Sequence, residues 1–109
     1  MVQHIGVRII DHDKKPVLDV ITGFNLVPIW KLLFDKKGNP KKEYPLLSGI
    51  APYGHTFFNA VQMKPLIKEL NFIYHEAATN EQKRTIKAVM ELATICSAKQ
   101  HRYLEFLGD

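Results

Sequence analysis

His101-Arg102-Tyr103-Leu104-Glu105-Phe106-Leu107-Gly108-Asp109 is the stretch whose reading decides the fold. Tyr103 to Leu107 can extend a preceding helix, with Gly108 as its C-terminal cap, or it can be a strand. Its aromatic content, and the need of an N-terminal hairpin for a third strand, tip the reading towards strand.

The hairpin comes from the other end of the chain. Ile5, Val7 and Ile9 alternate with Gly6, Arg8 and Ile10, a period of two with β-branched residues. Asp11-His12-Asp13-Lys14-Lys15-Pro16 is turn chemistry, because Asp side chains bond to nearby backbone and proline cannot continue a ladder. Val17-Leu18-Asp19-Val20-Ile21 then resumes strand composition.

Between these ends the chain reads as helical. Trp30, Leu33 and Phe34 have helical spacing, and Pro28 suits a first turn, so a short helix is expected within Gly23 to Phe34. Tyr44 to Gly54 carries too many prolines and glycines for a regular element and too many apolar residues for a free loop. It is expected to pack, ordered, on the core. Thr56 is read as the cap of a helical turn from Phe57 to Gln62. A helix beginning near Lys64, with Pro65 in its first turn, shows the stripe Leu66, Leu70, Ile73, Tyr74, Ala77. The next helix has the clearest start, because Thr79 and Gln82 have capping-box spacing. Its stripe is Ile86, Val89, Met90, Ala93, Cys96, and it is expected to run to about Lys99. The expectation is one α+β globular domain over residues 1–109: an N-terminal β-hairpin, joined by a C-terminal strand, packed against two to four helices.

Composition narrows the function classes. The chain has 109 residues, 46% of them hydrophobic and 24% charged, which is ordinary for a globular domain. A single cysteine excludes an internal disulfide. The first residues lack the basic-then-apolar order of a secretion signal, and the longest apolar-rich run, Phe24 to Phe34, is broken by Asn25, Pro28 and Lys31. A cytoplasmic protein with no membrane segment is the expectation. A net charge of +4 is mild and falls short of a nucleic-acid-binding face. Lys36, Lys37, Lys41 and Lys42, with Lys14 and Lys15 in the hairpin turn, read as solvated loop charge before they read as a phosphate contact.

Two stretches carry a resemblance: Tyr44-Pro45-Leu46-Leu47, through Pro52-Tyr53-Gly54-His55-Thr56-Phe57-Phe58-Asn59 to Gln62-Met63, and His101 to Asp109. They resemble a set of small bacterial single-domain proteins that share a Pro-Tyr-Gly-x-Thr-x-Phe-Asn segment and a Tyr-Leu-x-Phe-x-Gly-Asp end. An acidic residue is usual in those proteins where His55 stands. The resemblance implies a bacterial, single-domain protein and no particular reaction.

The candidate site residues are Tyr53, His55, Thr56, Asn59 and His101. A histidine among aromatics and hydroxyls can exchange protons near neutral pH, and polar neighbours at a helix start can orient an anion. The competing reading makes the same segment a corner: Gly54 turns, Thr56 caps, Asn59 bonds backbone, and Phe57 and Phe58 fill the core. No metal site is expected, because His4, His12, His55, His75, His101 and Cys96 show no ligand spacing. Cys96 lies on an apolar helix stripe, where thiols are inert, and the scattered glycines form no phosphate loop, so no catalytic set and no cofactor are expected. Three functions compete, in this order: a non-catalytic protein-binding module of inhibitor, immunity or adaptor type; a small-ligand binder or enzyme centred on His55; and a weak nucleic-acid binder through the lysine loop. A protein partner is implied, and the composition leaves room for a homo-oligomer.

Overall fold

The computed structural model describes residues 4–13, 15 and 25–108. Among the described residues, three strands form one antiparallel sheet: β1 (Gly6–Ile10), β2 (His55–Asn59) and β3 (Tyr103–Leu107), in the spatial order β1-β3-β2. The C-terminal segment is thus a strand, and it is the central one. It pairs with β1 in the register Arg8↔Glu105 and with β2 in the register Phe57↔Glu105. The expected second hairpin strand, Val17 to Ile21, lies outside the described residues. The turn leading to it is built as read, with the Asp11 carboxylate accepting from the amides of Asp13 and Lys15 at 2.8 and 3.0 Å.

Among the described residues, three α-helices pack with the sheet: α1 (Val27–Trp30), α2 (Met63–Glu76) and α3 (Asn80–Ser97). α1 has proline in its first turn and continues as a 3-10 turn over Lys31–Leu33. Thr79 and Gln82 form the expected capping box at the start of α3. That helix is the hub, packing on α1, α2, β1 and β3. Its stripe residues Ile86, Val89, Ala93 and Cys96 are fully buried, as are Leu66, Leu70 and Ile73 of α2. Burying each large aliphatic side chain contributes roughly 1.5–3 kcal/mol, so these two buried stripes are a large part of what holds the helices to each other and to the sheet. From the sheet side, Val7, Ile9, Leu104, Phe106 and Phe58 enter the same core, and the Phe58 and Phe106 rings meet edge to face at 5.7 Å.

The segment after the lysine loop packs inward as expected. Tyr44, Leu47 and Ile50 are buried, around a 3-10 turn at Leu47–Gly49. A carboxylate on α2 fastens it: Glu69 accepts from the amides of Leu46 and Leu47 at 3.0–3.2 Å. The Tyr44 hydroxyl bonds to Glu76, which also takes Lys41 at 3.4 Å. Burial and that neighbouring carboxylate push the Tyr44 phenol well above its ordinary range.

One expectation is corrected. Phe57 to Gln62 is not a helical turn capped by Thr56. Residues His55–Asn59 are a strand, because β3 offers a free edge and Thr-Phe-Phe suits a pleated surface. The Thr56 hydroxyl instead accepts from the Ala51 amide at 2.8 Å. Capping falls to Asn59, whose side chain forms a second capping box with Gln62 over the 3-10 turn Ala60–Gln62. Gly108 closes the corner, its amide donating to Gly54 at 2.7 Å. A Cβ at position 108 would lie 2.3 Å from the Pro52 carbonyl oxygen, so only glycine fits.

Candidate functional site

Strand alternation divides the sheet into two faces. The inner face is apolar. The outer face reads as three rows across β1, β3 and β2: Gly6, Leu107, His55; Arg8, Glu105, Phe57; Ile10, Tyr103, Asn59. Glu105 stands at the centre, and it is 2% exposed. A buried carboxylate needs partners, and this one has two. Arg8 donates through Nε to one oxygen at 2.6 Å, and the His55 ring meets the other through Nδ1 at 2.7 Å. The Arg8 and His55 side chains are 39% and 55% exposed, so a single buried anion links two half-solvated basic groups across three strands.

The candidate residues are thereby separated. His55 joins Glu105, the one charged residue of the otherwise apolar β3, which was not among the candidates. Thr56 is occupied by the Ala51 amide and Asn59 by its capping box. Asn59 pairs with Tyr103 and His55 with Leu107, so they sit at opposite ends of β2, about 13 Å apart at the usual strand rise. Tyr53 precedes the strand and is 61% exposed. His101 lies before β3 at the Asn59 end, in a turn with a left-handed backbone (φ 67°), and its ring meets His12 edge-on at 5.9 Å. These five side chains therefore do not converge on one pocket.

A cavity of about 240 Å³ opens beside them, lined by Ile10, Asp11, His12, Phe57 and Tyr103. It is small for a drug-sized ligand, and His55 is not in its wall. Asp11, on its rim, is held below the usual carboxylate range by the Lys15 amide above all. Among the described residues, no group of three or more His, Cys, Asp or Glu could hold a metal ion, and no helix is long and apolar enough to cross a membrane. Cys96 is buried, and burial pushes its thiol up to about 11, which removes the thiolate at neutral pH.

Large apolar side chains are exposed at four described positions: Tyr53, Phe57, Val61 and Phe72. Three of them follow one another along β2 and its flanks. Among the described residues β2 pairs only with β3, so its other edge faces outward. Edge strands are commonly guarded by lysine, an inward charge, proline or a bulge. His55-Thr56-Phe57-Phe58-Asn59 has no lysine, arginine, acid or proline. In comparisons with known proteins, no family model, no curated protein and no solved structure matches the chain.

Proposed function

We propose that this chain is a non-catalytic protein-binding module that docks through the open edge of β2. The observation that carries this reading is an unguarded edge strand bearing exposed Phe57, with exposed Tyr53 and Val61 on either side. Such an edge offers main-chain hydrogen bonds for affinity and alternate side chains for specificity, the basis of recognition by strand addition. The docking surface is confined to residues 53–61, because Tyr44, Leu47 and Ile50 of the aromatic and proline-rich segment before them are buried. The test is affinity capture from the native cell with the wild-type chain and with Phe57→Lys, which places a charge on the edge without touching the core. A partner retained by the wild type and lost by the variant is expected. Equal recovery by both sinks the reading.

A second reading, a small-ligand or acid–base site at His55, has one observation in its favour. Glu105 fixes the imidazole through Nδ1 and leaves Nε2 without a described partner, the orientation that a general base needs. Against it stand the absence of His55 from the cavity wall and the dispersal of Tyr53, Asn59 and His101. NMR of the His55 ring with small carboxylates, phosphates and amines decides it: no perturbation at millimolar ligand removes the idea.

A further inference from the structure

The hydrogen-bond parity of β2 determines which of its backbone groups are free. The Gly108 amide donates to the Gly54 carbonyl, so Gly54 and Gly108 form a hydrogen-bonded pair. Antiparallel pairing alternates from there: Thr56 and Phe58 turn their amides and carbonyls towards β3, and His55, Phe57 and Asn59 turn theirs outward. The Asn59 amide agrees, since it bonds to the Gln62 side chain and not to β3. No described residue meets the outward amides of His55 and Phe57.

These groups are self-complementary about one residue. Phe57 is the middle of the strand, and the exposed apolar residues Tyr53 and Val61 stand at equal sequence distance on either side. We infer that the partner of the β2 edge is a second copy of this chain, paired antiparallel about a two-fold axis through Phe57. This rests on the strand-addition reading above and names its occupant. Each Phe57 amide donates to the Phe57 carbonyl of the other copy, and each His55 amide to the other copy's Asn59 carbonyl. The Phe57 pair exchanges both of its bonds; the His55–Asn59 pairs have the same parity and keep one bond each, because the Asn59 amide is already held by the Gln62 side chain. The side chains agree too. Phe57 stacks beside its own symmetry mate. His55 faces Asn59, so no like charges oppose. The two sheets become one, with β1 at each outer end of the described strands.

A five-residue strand pair is a small interface, so the dimer is weak, with a dissociation constant on the order of 10–100 µM. Sedimentation equilibrium of the full chain across roughly 5–500 µM should show its mean mass rise from 12.5 kDa towards twice that value. Phe57→Lys should abolish the rise by setting two ammonium groups side by side at the axis. Phe72→Lys, which alters the exposed aromatic away from β2, should leave it unchanged. Hydrogen exchange locates the interface. The His55 and Phe57 amides should gain protection at the higher concentration, and those of Thr56 and Phe58 should be protected throughout. A monomer at the top concentration overturns the inference, as does a dimer that Phe57→Lys leaves intact. If the chain is monomeric while its capture of another protein still depends on Phe57, only the second-copy partner falls and the strand-addition reading stands.

Discussion

Glu69 and Glu105 are both buried carboxylates, 7% and 2% exposed, and they are satisfied in opposite ways. Glu69 lies on α2 and receives only backbone amides, those of Leu46 and Leu47. Burial therefore pushes its carboxyl up, with the two amides pulling the other way. Glu105 lies on the central strand and receives two basic side chains. The first is a clip that holds an irregular segment onto a helix, where an acceptor is needed and a charge is incidental. The second is an ionic centre, where the charge itself joins three strands.

The largest expected effect tests the ionic centre. Glu105→Ala removes the common anion and leaves a hole between Arg8 and Phe57, and it should cost about 3 kcal/mol in urea denaturation at pH 7. Glu105→Gln keeps the volume and should still cost about 1–2 kcal/mol, because an amide cannot replace the charge. If Glu105→Gln costs no more than Glu69→Gln, the distinction between the two sites is broken. Next comes Glu69→Ala, at about 2 kcal/mol, because two buried amides lose their acceptor. The loss should be local as well as global, with faster hydrogen exchange at Leu46 and Leu47 and little change in β3.

How far these features were legible follows from the range of the interactions. Elements set by neighbours in sequence were readable: the capping box at Thr79, the stripes of α2 and α3, and the Asx turn at Asp11. β2 was misread because Thr56 is a good cap in isolation, and what overrides it is the edge of a strand fifty residues later in the chain. Asn59 and Gln62 have the same spacing as Thr79 and Gln82, and that signal was present and unused. At the candidate site, His55 stood out as a titratable group among aromatics. Its partner did not, because the contact to Glu105 spans 50 residues. One clue existed: Arg8 and Glu105 are lone opposite charges in otherwise apolar strands, and two such strands side by side place them together.

His55→Ala sharpens the comparison from the other side. Its ring is 55% exposed, so the pair with Glu105 is worth little as an ion pair, and Arg8 still holds the other oxygen. The expected loss is about 0.5 kcal/mol, several-fold less than for Glu105→Ala. A loss equal to that of Glu105→Ala would make His55 an integral strut and would shift the centre of the site from β3 to β2.

The smallest effect in magnitude is the most discriminating in sign. The Glu69 carboxyl is raised above its ordinary 4.5, so the folded chain holds this proton more tightly than the unfolded one. Through that window the folded state binds more protons, and stability from this group falls as pH rises. The stabilisation is fully present below 4.5 and is lost as pH climbs through the raised value. Glu69→Gln keeps an oxygen acceptor for the Leu46 and Leu47 amides and removes the buried charge. It should change stability at pH 7 by no more than about 0.5 kcal/mol, with gain the favoured direction, and it should flatten the fall between mildly acidic and neutral pH. Urea midpoints of the two proteins across that range measure it. A variant that loses stability at pH 7 and keeps the wild-type slope would mean that the ionised carboxylate is what the clip requires, and the two glutamates would then belong to one class.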